Sequence, residues 1–398
     1  MILKKNIIFK KSKNSNLWDL KNNRYIDFSM SNGALILGHS NRLQINTLKK
    51  QINYGLNYSN DNLPKYNYSK ALLKYFNDFN EVVFSNSGSE ANTRAYRICK
   101  SISKKQDFAM VSGAWHGSLD SFMFDLINGK KTSLSSGNKD NLSNVHILPH
   151  NDLKKSLKIL RKFKNKICMI IIECVQASFP HIKNIKYLKS IYNFAKKNGI
   201  LIVFDEVITG LRVAKLAIHK KYNLKPDIVT FGKCFGAGLP IGITLISKKI
   251  SNKLKKLEKK VFFGGTFSGN PIAMTSGLET FRYLKKNNKI NNRINKMSMK
   301  IENEINNYTK KNGIEFKIIR YESILRPIFT SNEIFGKIER SKFDYQNKNS
   351  NFLRNFLIIN KINLPRNGCI FISASHKRSD IIYLISCLKK FLKTYYDN

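Results

Sequence analysis

"LIVFDEVITGL", residues 201–211, governs how the rest of the chain is read. Leu201, Ile202, Val203 and Phe204 leave no polar position, the pattern of a strand covered on both faces. Asp205 and Glu206 follow at once. An ionised carboxylate at the end of a buried strand is costly without a partner. The stretch therefore predicts a sheet between layers of helices, with a cation waiting at one strand end.

Similar runs recur on either side: "VVF" (82–84), "FAMV" (108–111), "CMIII" (168–172), "DIVTF" (227–231) and "ITLIS" (243–247). Helical patterns separate them, among them 90–100 and 185–198. In the first, Ala91, Ala95 and Ile98 share a face at i, i+4, i+7. The expected fold class is α/β: a large domain with a mainly parallel sheet flanked by helices. The flanks differ. Residues 17–28 read as a hairpin turning at "KNN", and 271–310 as long helix. After "NG" (312–313) come short strands and one or two helices. A small α+β domain built from both chain ends is expected, with boundaries at 1–45, 46–290 and 291–398. No fixed-period repeat is visible.

The 398 residues are 42% hydrophobic and 11% aromatic, a globular composition. No apolar run approaches the roughly 20 residues of a membrane span. The start, "MILKKNIIFKKSK", is too broken by lysine for a signal peptide. A cytoplasmic protein without a membrane partner is expected. Lys and Arg number 70 against 26 Asp and Glu, a net charge of +44. The lysines gather in no single tail or stripe, and residues with A/T-rich codons (Lys, Asn, Ile) are abundant together. No finger spacing, basic heptad helix or RNA-binding signature accompanies them. The expectation is no specific nucleic-acid partner, with weak polyanion binding at low salt. The six cysteines form no C-x-x-C and no zinc-ligand pattern, so reduced, buried thiols are expected. "HILPH" (146–150) reads as a strand end, and no metal site is expected.

In an open parallel sheet, ligands bind beyond the carboxyl ends of the strands. The residues just past each apolar run are therefore informative. "SNSGSEAN" comes after the first, "SGAWHG" after the second, Glu173 after the third, Asp205 after the fourth and "GKCFGAGLPIG" after the fifth. Ser87, Gly88 and Ser89 form a small-residue turn into a helix, suited to a phosphate or to an ordinary helix cap. "GAGLPIG" lacks dinucleotide spacing and reads as a turn. The partner of Asp205 is either Lys233 directly or a ligand cation such as a protonated pyridine nitrogen. With Trp115 as an aromatic slab and Lys233 as an amine, the rim assembles a site for pyridoxal 5'-phosphate.

These motifs resemble the class III aminotransferases of the fold-type I pyridoxal phosphate enzymes, nearest to the glutamate-1-semialdehyde aminomutases. "NSGSEAN", "WHG", "IIECVQ", "VFDEVITGLR", "PDIVTFGK", "GAGLPIG" and "GTFSGNP" carry the likeness, over residues 7–274. The resemblance implies that Lys233 is the Schiff-base lysine and Asp205 the acid on the pyridine nitrogen. It implies that Val207 packs under the ring, and that Ser87, Gly88 and Ser89 hold the phosphate. Trp115 stands where Tyr or Phe is usual, and His116 follows as in the family. Glu173 matches the acid of an "EP" pair, with Cys174 replacing the proline. Thr266 matches a threonine that reaches the neighbouring subunit's cofactor, which implies a homodimer with shared active sites.

The substrate side departs from the pattern. The resemblance leads one to expect an N-terminal segment with a carboxylate-holding arginine, and this chain is expected to start after it. Asn32 stands where a tryptophan is expected, Ser178 near an expected asparagine, and Gly368 near an expected glutamate. The lid region, 128–144, also differs. Arg326 and Arg366 are candidates for a substrate carboxylate, with surface placement the favoured reading for each. The expected function is an aminotransferase moving an amino group between an amino-acid donor and a carbonyl acceptor. Its alternative is the intramolecular aminomutase.

Overall fold

The computed structural model describes residues 7–58, 60–136, 138, 142–330, 348–366 and 368–396. The chain opens with β1 (Phe9–Lys13), β2 (Asn16–Asp19) and β3 (Arg24–Asp27), an antiparallel meander that contains the expected hairpin. Seven later strands make the central sheet, and each of the six apolar runs of the sequence belongs to it. They are drawn from β4 (Phe79–Ser85) and β5 (Asp107–Val111), then, past the hairpin of β6 (Phe124–Ile127) and β7 (Lys130–Ser133), β8 (Val145–Leu148). β9 (Ile167–Glu173), β10 (Leu201–Asp205), β11 (Ile228–Gly232) and β12 (Gly242–Ser247) complete it. The spatial order is β4-β12-β11-β10-β9-β5-β8, and β12 alone runs antiparallel to its neighbours. Only the link from β11 to β12 is a short turn. Parallel neighbours need a long crossover, supplied by helical segments except between β5 and β8, where the β6–β7 hairpin lies.

Both faces of the sheet are dry, which explains the unbroken apolar runs. Ile170, Ile172, Ile202 and Phe204 pack on one face with Ile185, Leu188 and Ile191 of the helix Lys183–Lys197. Met169, Ile171, Leu201 and Val203 pack on the other with Ala95, Ile98 and Cys99 of the helix Gly88–Ser103. Registers Asp205↔Glu173 and Asp205↔Thr230 bring the strand ends level. Gly232, Gly242 and Ser85 form a second aligned row beside them.

The remaining strands are β13 (Lys317–Tyr321), β14 (Ile324–Ile328), β15 (Ile362–Asn363) and β16 (Ile370–Phe371). β13, β14 and β16 form a small antiparallel sheet, and β15 adds in parallel to β3. The two chain ends thus meet in one sheet. Between β3 and the helix Arg42–Asn53 lies a feature that composition does not reveal. Met30, Ser31, Asn32 and Gly33 all have positive φ, at 45°, 53°, 53° and 86°. Left-handed backbone costs a non-glycine residue about 1–2 kcal/mol. Arg212 restrains the turn: Nε and Nη2 donate to the Gly33 carbonyl at 2.9 and 2.6 Å.

In the lid region, Asn128 and Gly129 turn β6 into β7, while residues 137 and 139–141 lie outside the described residues. No helix among the described residues is long and apolar enough to cross a membrane.

Candidate active site

At the carboxyl rim of the sheet, the loops after β4, β5, β9, β10 and β11 surround a cavity. Gly88, Ser89, Trp115, His116, Glu173, Asp205, Val207 and Lys233 all line it. So do Asn92, Gly117, Val175, Ile208 and Thr209, which were not foreseen. Ser87 is the N-cap of the helix Gly88–Ser103, its Oγ accepting from the Glu90 amide at 3.1 Å. The cap and the anion-binding readings of this turn are therefore compatible: Ser87 closes the helix while Gly88 and Ser89 face the cavity.

Asp205 and Glu206 part company. Glu206 turns into the core, where its carboxylate takes the Ile218 and His219 amides and His219 Nδ1. Asp205 faces the cavity. Its Oδ2 meets His116 Nδ1 at 2.8 Å and Asn92 Nδ2 at 2.7 Å, and its Oδ1 accepts from the Val207 amide at 3.0 Å. Asn92 also donates to the His116 carbonyl, and its Oδ1 accepts from Thr230 at 2.6 Å. No ion pair among the described residues joins Asp205 to Lys233. Of the two partners considered for Asp205, the direct lysine pair is the one the geometry disfavours. Asn92 had a sequence signal, because an asparagine beside Ala91 and Ala95 on an apolar helix face must find a buried partner.

Glu173 spans the loops after β5 and β9. Its Oε1 accepts from the Trp115 amide at 2.6 Å and its Oε2 from the Ala177 amide at 3.0 Å. Burial, and then the nearby Asp205 charge, raise its pKa. Burial lowers the pKa of Lys233, while Glu173 and Asp205 pull the other way. An amine desolvated in this manner is biased toward its neutral, nucleophilic form. Lys233 also sits at φ 45°, in the left-handed region. Strained backbone of this kind concentrates at functional sites.

These residues fit pyridoxal phosphate. His116 Nε2 is buried without a hydrogen-bond partner at the cavity wall. Gly88 and Gly117 form a close cradle: a Cβ would lie 2.8 Å from Val207 Cγ2 and 2.3 Å from Ser89 Oγ, respectively. A helix start, an amine and a held carboxylate supply what a phosphate, an aldehyde and a pyridine nitrogen require.

The other predicted residues lie apart. Thr266 is exposed and outside the cavity lining, and its carbonyl accepts from Asn57 Nδ2 at 3.2 Å. Asn32 is exposed on the left-handed turn, and Arg366 is exposed. Arg326 corrects the expectation of surface placement, since it is only 6% exposed. It stands mid-strand in β14, a strand buried along its whole length, which the local sequence "SILRPIF" could not reveal. Ser178 Oγ donates to the Gly113 carbonyl at 2.8 Å, and Gly368 is half-buried. No group of three or more His, Cys, Asp or Glu suited to a metal occurs among the described residues. All six cysteines are buried and free.

Fold and site together define a fold-type I pyridoxal phosphate enzyme, and the sequence profile described as "Aminotransferase class-III" matches residues 3–334. The chain belongs to that family. A "Glutamate-1-semialdehyde 2,1-aminomutase" from Methanosphaera stadtmanae is 30% identical over 394 residues, covering 97% of this chain and 92% of the relative. Among solved structures, a "Transaminase with PLP bound" superposes with a TM-score of 0.84 at 20% identity, covering 98% of this chain and 91% of that one. A glutamate-1-semialdehyde aminomutase from Pseudomonas aeruginosa PAO1 gives 0.86 at 14% identity, covering 96% and 87%. The structural likenesses speak for the fold.

Proposed function

We propose that the chain relocates an amino group within one small molecule, the activity named in its relatives as glutamate-1-semialdehyde 2,1-aminomutase. The reach of the sequence match carries this reading. It takes in 97% of the chain, hence both chain ends as well as the rim motifs. The two-substrate aminotransferase expected from the sequence becomes the second reading. It keeps a specific support in the substrate-side departures at Asn32, Ser178 and Gly368.

Bound pyridoxal phosphate supplies an electron sink that makes the proton on an amine-bearing carbon removable. Lys233 would hold that group, and its amine, once free, would move the proton as general base. Burial biases its amine toward the neutral form that both tasks need. Asp205 is locked by Asn92, His116 and the Val207 amide, so its carboxylate would meet a pyridine N–H without reorganising. Ser89 and the amides at the start of Gly88–Ser103 would take the phosphate. Trp115 and Val207, both in the cavity lining, would hold the ring.

The assembly in this reading is a homodimer, with Thr266 contributing to the neighbouring subunit's site. Tyr54, Leu56, Tyr58, Phe262 and Phe267 are large, apolar and exposed in the two segments that Asn57 and Thr266 join. Exposed apolar clusters of this kind support a covered face. Light scattering checks it: a fully active monomer would be incompatible with a shared site.

Glutamate-1-semialdehyde supplied alone tests the reaction. Formation of 5-aminolevulinate without a second substrate is expected. A strict requirement for an added amino donor would transfer the reading to the two-substrate aminotransferase.

A further inference from the structure

We infer that residues 33–44 form a cradle that fixes the backbone of Lys233, with Cys234 and Gln44 as its positioning residues. The inference rests on the reading of Lys233 as the lysine that holds the cofactor, and it adds what presents that lysine to it.

Lys233 needs such support. Its φ of 45° lies in the left-handed region, which persists at a lysine only where neighbours over-determine it. On one side the support is the sheet. Gly232, the last residue of β11, is paired with Gly242, and the ladder stops there. On the other side the chain leaves the sheet as a tight turn, Lys233–Gly236, that ends at Ala237 with φ 54°. This turn is held by a segment close to 200 positions away in sequence. The Cys234 thiol donates to the Gly33 carbonyl at 3.0 Å. The Ile36 amide and the Arg212 guanidinium both bond to the same sulfur. Gln44 Nε2 donates to the Ala237 carbonyl at 2.8 Å. At Gly238, where φ is +95°, a Cβ would lie 2.6 Å from Leu35 Cδ2. Cys234 and Gln44 are both buried, where a satisfied polar contact fixes geometry most firmly.

The Gly33 carbonyl is the junction. It accepts from Cys234 Sγ and from Arg212 Nε and Nη2. Gly33 closes the left-handed run that begins at Met30. Met30 in turn packs with Ala177 and Phe371, against which Ile208 of the cavity lining rests. One wall of the cavity and the lysine turn therefore meet at a single carbonyl. Without the Cys234 link, Lys233 would be restrained firmly on its sheet side only, and its backbone could relax toward ordinary torsions. Burial lowers the pKa of its amine, while Glu173, Asp205, Cys369 and Cys234 act in the opposite direction. An amine released from its buried position yields to those groups and to solvent, so its nitrogen would take a proton more readily.

The measurement is the pH midpoint of the visible absorbance of protein loaded with pyridoxal phosphate, taken without substrate. It reports protonation of the Lys233 nitrogen. Cys234→Ala is expected to raise the midpoint by about one unit, the size that left-handed strain at one residue can supply. Gln44→Ala should raise it by less, since its contact lies further along the turn. Cys234→Ser keeps a donor and should lie closer to the parent than Cys234→Ala does. An unchanged or lowered midpoint in either alanine variant would overturn the inference, even with a loss of urea stability, because a group that only fills space alters stability alone. A serine variant displaced as far as the alanine variant would overturn it as well. If Cys234→Ala does not fold, Gln44→Ala decides by the same readout. The parent separates two failures: a parent that takes up no cofactor, or fixes it on another lysine, sinks the enzyme reading, whereas a loaded parent with indifferent variants sinks only the cradle.

Discussion

On the sheet side of the cavity, Asp205, Glu173 and Lys233 stand at or just beyond the ends of adjacent strands in register, each within a few residues of a strand it completes. On the opposite side, Met30, Ala177, Ile324, Cys369 and Phe371 meet from four separate parts of the chain. The sheet side is positioned by a hydrogen-bonded ladder. The other side is positioned by side-chain packing around a strained turn, with Arg212 tying Gly33 to the Ile372 carbonyl. A ladder tolerates little change at its ends, because each ligand is fixed by its neighbour's register. A packed wall can exchange residues as long as volume is kept. Chemistry common to a family then belongs on the first side, and substrate choice on the second.

The largest effect should come from breaking the sheet side. Lys233→Ala is expected to leave the fold intact while turnover falls by about 10⁴-fold, the upper range for a positioned acid–base group. Borohydride should no longer fix the cofactor to the peptide containing position 233. Fixation to a different lysine in the parent would refute the assignment. Stability should rise slightly in this variant at neutral pH. The folded Lys233 pKa is lowered, so the unfolded chain binds the extra proton below its usual value near 10.5. That penalty is present below the folded pKa and disappears as pH climbs through the unfolded one.

Breaking the packed side should act on stability first. At Gly33, φ is +86° and a Cβ would lie 2.9 Å from the Phe371 ring. Gly33→Val is expected to cost about 3 kcal/mol, from left-handed strain and overpacking together. Urea unfolding measures it. A variant as stable as the parent would mean that the turn is not fixed as described.

A smaller effect sharpens the same contrast. His376, on the packed side, stacks on Phe28 with centroids 4.6 Å apart and accepts from the Ser373 amide at 3.0 Å. Burial pushes its pKa down from 6.5 to about 4, with Asp380 and Asp27 opposing. The unfolded chain thus binds a proton that the folded chain refuses between those values. Stability should be complete above pH 6.5 and fall as pH drops through the window, by about 2 kcal/mol between pH 7 and 5. His150 at the end of β8 is pushed to about 3 by burial and should add to the same acid loss. His376→Phe should remove the His376 part of the slope. Denaturant melts at the two pH values give the answer, and an unchanged slope would count against a buried neutral imidazole.

Much of the sheet side was legible in the sequence. Each chemical residue there follows an apolar run directly, so "LIVF" locates Asp205 and "DIVTF" locates Lys233 without knowledge of distant contacts. The partner of Asp205 was less legible. Asn92 and His116 are 113 and 89 residues away from it, and only register brings them to 2.7 and 2.8 Å. The two acids at 205 and 206 look equivalent in sequence. Strand alternation sends one to the cavity and the other to His219.

The sequence by itself determined the class of fold, the order of strands and helices, and the chemistry at the sheet's rim. These follow from local periodicity and from residues that terminate the periodic runs. Tertiary structure alone decided that Arg326 is buried while Arg366 is exposed, that four residues from Met30 to Gly33 run left-handed, and that Cys369 stands beside Ala177. Those outcomes depend on long-range packing. A one-residue difference in register would face the β14 side chains the other way, and no local pattern in "SILRPIF" records which face is covered.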